Sequence, residues 1–228
     1  VNMSADPEQE YFSDGISEEL LNLLAKIPNL RVPARTSSFQ FKGQNLDIGA
    51  VAEQLNVKHV LEGSVRKADV RVRVTAQLIE AETGYHLWSE TYDRELDDIF
   101  AIQDEISAAI VTALSDTLGL KVDEAPHVST ATNPEAYNLF LLAQHQVKKR
   151  TKTDLESAIP NYELALELDP NYAPAHAGIG LAWYLLTASN QTFGTLPLEE
   201  SLARATPHIE KALQLDDELP EALGVMGL

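Results

Sequence analysis

Shifted by 47 positions, ALELDPNYAPAHAGIGL (165–181) falls on ALQLDDELPEALGVMGL (212–228). The shift matches Ala165 with Ala212, Leu168 with Leu215, Asp169 with Asp216, Ala175 with Ala222 and Gly180 with Gly227. Upstream it matches Ala158 with Ala205 and Pro160 with Pro207. Self-similarity at a fixed period marks a stack of like supersecondary units, each burying its apolar face on a neighbour. The recurring residues are small and let two helices approach closely, while Tyr162, Ile209 and the leucines fill the remaining space. Everything beyond residue 134 therefore reads as paired helices.

The first half follows another pattern. Phe12, Ile16, Leu20, Leu23, Leu24 and Ile27 recur every three or four positions, one face of a helix over about 9–27 that Pro28 ends. Ser13, Asp14, Glu18 and Glu19 fall on its solvent side. Gly15, about 1 kcal/mol worse than Ala in a helix, marks a close contact or a second start capped by Ser17. LRVPAR (30–35) reads as a short strand, and Asp47 can cap a helix whose inner face is Ile48, Val51, Ala52 and Leu55. The period then becomes two. VKHVLEGSV is a strand with a bulge expected at Gly63. VRVRVTAQL puts Val70, Val72, Val74, Ala76 and Leu78 on one face and Arg71, Arg73 and Thr75 on the other. YHLWSETY is a third strand, and Asp97 or Asp98 caps a long helix with Ile99, Ile102, Ile106, Ile110 and Ala113/Leu114 inward, stopping at Gly119.

The predicted fold is thus an α+β domain over 1–121, of order α-β-α-β-β-β-α, then a linker over 122–134 and an all-α repeat domain over 135–228. VDEAPHVSTATNP (122–134) is polar, with two prolines and no periodicity. The first helix has no strand before it and the last repeat stops half-way through a helix, so truncation is expected at both ends.

Charge bounds the partners. The net charge of -18 divides into -9 for residues 1–122 and -9 for 123–228. Nucleic acid is therefore excluded as a partner, because its affinity rests on Lys and Arg neutralising phosphates. Lys148, Lys149, Arg150 and Lys152 form the one basic cluster, read as a solvated turn between helices. No apolar run is long enough to cross a membrane, and the start is no signal peptide. The absence of cysteine fits a cytoplasmic location, the first expectation, or the periplasm.

No P-loop, dinucleotide fingerprint or nucleophile elbow occurs. The six histidines (59, 86, 127, 145, 176, 208) show no metal-ligand spacing. No catalytic residue, metal or cofactor is therefore expected. Carboxylate pairs such as Glu18/Glu19 sit at helix starts, where the dipole favours them. Two places could hold an anion: the ARTSS loop with Arg35 and Ser37, and the hairpin with Arg66, Arg71 and Arg73; a single pocket would gather Arg35, Ser37, Arg66 and Arg73. The plainer account is a hydrogen-bonded loop, with Arg66, Arg71 and Arg73 paired across strands to Glu62, Glu90 or Asp69.

Two resemblances add to this. The helical half resembles the tetratricopeptide repeat: Leu142, Ala143, Ala158, Tyr162, Ala165 and Asp169-Pro170 in a first unit (about 136–172), and Gly180, Trp183, Ala205, Ile209 and Ala212 in a second (about 173–219). A third starts at 220. About 13 extra residues within TASNQTFGTLPLEE and Asp217 in place of the closing proline depart from the pattern. That resemblance implies a peptide groove lined by Tyr137, Phe140, Gln144, Val147, Lys148, Ala177, Leu181 and Tyr184, or the same residues serving as core between domains. The segments YFSDGISEEL, RTSSFQFKG, VKHVLEGSVRK, VRVTAQLIEAETGYHLWSETYDREL and IFAIQDEI resemble the TolB amino-terminal-like (FlgO-related) domain. In bacterial signalling proteins that domain follows class III adenylate/guanylate cyclase domains or winged-helix regulators. The resemblance implies a non-catalytic sensory or scaffolding region with an effector domain in the same parent chain, a protein or peptide partner on the repeats, and a possible homodimer. The alternative is an anionic-ligand or nucleotide-binding domain, or an enzyme, using ARTSS and the hairpin arginines.

Overall fold

The apolar stripe of Phe12, Ile16, Leu20, Leu23 and Leu24 is buried along α1 (Glu10–Ala25). The computed structural model describes residues 2–4, 9–25, 27, 30–44, 46–68, 70–118, 133–189, 192–217 and 219–226, and of residues 97, 107, 111 and 114–118 the backbone alone. Pro28, Asp69, Gly119 and the linker up to residue 132 lie outside the described residues, as does the Asp97 side chain. The chain divides into two units, Val1–Ser129 and Thr130–Leu228.

In the first unit α1 is followed by α2 (Arg35–Phe39) and α3 (Ile48–Leu55). The strands β1 (His59–Ala68), β2 (Arg71–Glu80) and β3 (His86–Glu95) form an antiparallel sheet in the order β1-β2-β3. A 3-10 turn, Leu96–Asp98, leads into α4 (Ile99–Leu118). The Asp47 side chain caps α3 as predicted, accepting from Gly49 N at 3.0 Å. Val72, Val74, Ala76 and Leu78 are buried on one face of β2, while Arg71 and Arg73 stay exposed on the other. α1 packs against β1 and α4, and α4 against β2 and β3. Ile99, Ile102, Ile106 and Ile110 of α4 are fully buried. Helices thus cover the valine face, and the arginine face is polar.

Four local expectations are corrected. Residues 30–34 form no strand, and α2 begins at Arg35. Pro33 has no N–H to give a ladder, and the β1 edge is met by residues 2–4: Asn2 bridges Val65 in parallel and Met3 N donates to Val65 O at 2.8 Å. The observed order is therefore three helices, three strands and a helix. Gly63 is no bulge, since it pairs in unbroken register with Ala76; the irregularity falls between Leu78 and Ile79 of the β2–β3 pair. What requires glycine at 63 is proximity, because a Cβ there would lie 2.2 Å from Thr75 O. Ser17 starts no second helix; its hydroxyl donates to Ser13 O at 2.8 Å, and Ser13 itself is buried. Val70 lies in the turn and is 68% exposed, not on the core face.

The second unit is a run of helices: α5 (Pro134–Lys149), α6 (Lys152–Leu168), α7 (Ala173–Leu185), α8 (Leu198–Leu215) and α9 (Pro220–Met226). The helices α5 to α8 pack chiefly on their chain neighbours, while α9 packs chiefly on α7. The 47-residue similarity is visible in the backbone. Asp169 N bonds Ala165 O at the end of α6, and Asp216 N bonds Ala212 O at the end of α8, both at 2.9 Å. Tyr172 N then bonds Asp169 O, as Leu219 N bonds Asp216 O. Asp217 makes the same turn where the first repeat has Pro170. Ala158, Ala165, Ala175, Ala212 and Ala222 are fully buried at the crossings, where a larger side chain would hold the helices apart. The inserted segment folds back on α7: Phe193 N bonds Leu185 O and Leu196 N bonds Leu186 O. No helix among the described residues is long and apolar enough to cross a membrane.

Candidate functional site

The segment EYFSDGISEEL (10–20) presents Glu10, Asp14 and Glu18 at four-residue spacing, one edge of α1. RTSSFQFKG supplies the opposite charges. Lys42 Nζ lies 2.7 Å from Glu10 Oε1 and 2.5 Å from Asp14 Oδ1, and Arg35 Nε lies 3.0 Å from Glu18 Oε2. The Arg35 guanidinium also stands 4.1 Å from the centre of the Phe39 ring. Burial lowers the Lys42 pKa, but the hydrogen bonds to Asp14 and Glu10 outweigh it and the net direction is upward. Ser37 is half-buried in α2, and its backbone N–H donates to Ala34 O at 3.0 Å. These residues strap the α2 segment onto α1.

On the polar face of the sheet, Arg66 and Arg73 stand directly opposite one another in the β1–β2 register. Arg73 pairs with Asp93, its cross-strand partner in β3, and Arg71 Nη2 reaches the other oxygen of Asp93 at 2.7 Å. The hydrogen bonds from Arg71 and then Arg73 hold the Asp93 carboxyl below its ordinary range. Arg66 Nε donates to Met3 O at 3.0 Å. Of the partners expected for these arginines, Glu90 faces the other side of the sheet opposite Ala76 and accepts from Tyr92 OH. Among the four anion-site candidates, Arg66 and Arg73 are brought together. Arg35 and Ser37 belong to α2, where Arg35 is taken up by Glu18, so the four do not converge.

The groove candidates split by burial. Tyr137, Phe140, Val147 and Ala177 are in the core of the helical unit, with Phe140 packed on Tyr162 and edge-on to Tyr172, ring centres 5.9 and 5.0 Å apart. Their helix face packs inward on its own partner helix, leaving no surface to present. Gln144, Lys148, Leu181 and Tyr184 are half-exposed. Lys148 Nζ donates to Gln144 Oε1 at 2.8 Å.

One cluster escaped the sequence reading. His176 on α7 and His208 on α8 face each other, Nδ1 to Nδ1 at 3.3 Å, and His176 Nε2 lies 3.3 Å from Pro170 O. Both rings are half-buried. Desolvation lowers both pKa values, with Lys211 adding to the effect at His176 and His176 adding to it at His208. A carbonyl only accepts, so His176 carries its proton on Nε2 and turns the Nδ1 lone pair to its neighbour. Thirty-two residues separate the two in sequence; only the pairing of α7 with α8 reveals them. Among the described residues no group of three or more His, Asp or Glu could hold a metal ion.

No family model matches the chain. The chain is similar to a protein named "Putative adenylate cyclase 3" from Rhizobium meliloti (strain 1021), with 40% identity over 220 residues, which is 96% of this chain and 37% of that protein. It is also similar to "Transcriptional regulator HilA" from Salmonella paratyphi A (strain ATCC 9150 / SARB42), with 21% identity over 184 residues, 80% of this chain and 32% of that protein. The chain therefore spans about a third of the length of the curated relatives it matches.

Proposed function

We propose that this chain is a non-catalytic sensory and scaffolding region of a larger bacterial signalling protein, placed C-terminal to an adenylate or guanylate cyclase domain. One observation carries the reading: the 40% identity to a protein named as an adenylate cyclase runs through 96% of this chain yet takes in 37% of that relative, so the relative has ample length for a separate catalytic domain. On this reading the α+β unit is the TolB amino-terminal-like module, which couples or senses. The helix pairs α5/α6 and α7/α8 are tetratricopeptide units that dock a protein or peptide partner, with Gln144, Lys148, Leu181 and Tyr184 as the accessible part of the groove. The ion pairs on α1 and on the sheet support it, because they give the conspicuous charged residues structural partners.

The test has two arms. The 228-residue chain is assayed for conversion of ATP or GTP to the cyclic nucleotide, with none expected; turnover above background sinks the non-catalytic reading. The intact parent protein is then compared with a version lacking these residues. The expected result is retained cyclase chemistry with an altered response to stimulus or altered assembly, and an unchanged response removes the sensory role.

A further inference from the structure

We propose that His176 and His208 form a two-imidazole site for a divalent transition-metal cation of the zinc, copper or nickel kind, clamping α7 to α8. The separation of the donor atoms is the first argument. Zinc binds imidazole nitrogen at about 2.0–2.1 Å in tetrahedral geometry, which sets two such donors roughly 3.3 Å apart. The two Nδ1 atoms are 3.3 Å apart. Orientation is the second. A ligating histidine almost always donates its other ring N–H to a carbonyl or carboxylate, which fixes the tautomer and aims the lone pair. His176 meets that condition through Pro170 O, in the turn that ends α6.

Binding is a rearrangement with a simple proton balance. In the metal-free pair the Nδ1–H of neutral His208 donates to the Nδ1 lone pair of His176. For both Nδ1 atoms to bind a cation, His208 moves that proton to its own Nε2 through solvent, and no proton leaves the protein. The two imidazoles supply two ligands. The rings are half-buried, so water or a side chain of a docked partner completes the shell. Lys211, the cation that faces His176, works against ions held by charge alone. Calcium and magnesium, which take oxygen ligands, are disfavoured, and the order of affinity follows imidazole bonding, with copper and nickel strong. Because the ligands come from two helices and Pro170 orients one of them, the metal binds the folded repeat and not the open chain, and it raises the unfolding temperature. This site is independent of the signalling role proposed above.

The probe is the metal alone. The 228-residue chain is titrated with Zn2+ by calorimetry and with Co2+ by visible absorption, and its thermal unfolding is followed with and without excess Zn2+ or Mg2+. One equivalent of Zn2+, a Co2+ spectrum of tetrahedral type, and a higher unfolding temperature with Zn2+ but not Mg2+ are expected. His176→Asn and His208→Asn each weaken Zn2+ binding about tenfold or more and lose the Co2+ bands, while the other four of the six histidines remain as a background control. Circular dichroism shows which variant is folded, and either one suffices. Unchanged Zn2+ affinity in a folded variant, or no thermal response of the unaltered chain to Zn2+, overturns the proposal.

Discussion

A Cβ placed on Gly180 would lie 2.3 Å from Cδ1 of Ile209 and 3.4 Å from the backbone oxygen of Ala205, so α7 crosses α8 at a distance set by the missing side chain. Gly180→Ala gains up to about 1 kcal/mol of helix propensity but must displace a buried isoleucine. Overpacking of that kind costs about 1–3 kcal/mol. A net loss of about 1 kcal/mol is expected in urea unfolding, and Gly180→Val loses more. Adding Ile209→Val removes Cδ1 but keeps a γ carbon where Cγ1 lies 2.6 Å from the same Cβ, so it recovers part of the alanine variant's loss. Additive single effects would show that the two residues do not share the crossing.

Gly63 presents the same demand in a sheet, with no way to relieve it. The atom a Cβ would meet at 2.2 Å is the backbone oxygen of Thr75, and backbone cannot rotate aside as a side chain can. Gly63→Ala must push β1 from β2 next to the buried Ala76. The expected loss is about 3 kcal/mol, the upper end for ordinary single substitutions, with the amides around Ala76 losing protection from hydrogen exchange. A soluble variant of unchanged stability would contradict the close approach.

Lys42 joins two acidic residues of one helix to the segment after α2, and removing it leaves Glu10 and Asp14 facing each other at four-residue spacing. Lys42→Gln is expected to cost roughly 0.5–1 kcal/mol at low salt and less at high salt. The folded lysine has its pKa raised, so the pairing is fully present below the ordinary lysine value and is lost as pH rises through the raised one. The gap between the parent chain and the variant should hold from neutral pH to the ordinary lysine range and close above it. A gap that closes on acidification alone down to pH 6 would point to another group.

What could be read from residue order was whatever a single element decides by itself. The isoleucines of α4, the stripe of α1, the cap at Asp47 and the alternation of β2 follow from period and local chemistry, and the structure carries them as read except at Ser13, which is buried, and Val70, which lies in the turn. Alternation says which residues share a face but not who stands opposite, so sequence alone does not single out Asp93 as the partner of Arg73 or exclude Glu90, which faces the other side. A strand at 30–35 fitted its residue types, yet a strand exists only where another offers an edge, and residues 2–4 meet β1 there. Half the groove candidates are buried for a similar reason. The face of α5 that holds Tyr137, Phe140 and Val147 points to the adjoining helix, which periodicity cannot distinguish from an open groove. His176 and His208 needed the packing of α7 on α8 before they could be neighbours.

Asp93 gives the last prediction, because one carboxylate serves two arginines on an exposed face. At neutral pH it is ionised and holds Arg71 and Arg73 apart in sign from their like-charged neighbour Arg66. Its folded pKa is depressed, so its contribution is present above the ordinary carboxylate value and disappears as pH falls through the lower folded one. Asp93→Asn leaves three guanidinium groups on adjacent strands with no carboxylate between two of them. The variant is expected to be less stable than the parent at neutral pH and low salt. The difference should shrink with added salt, which screens exposed charges, and vanish in acid once Asp93 in the parent is itself protonated. Chemical denaturation of both chains across pH 2–7 measures this directly. A difference that persists at the acid end would mean that Asp93 acts through packing and not through charge.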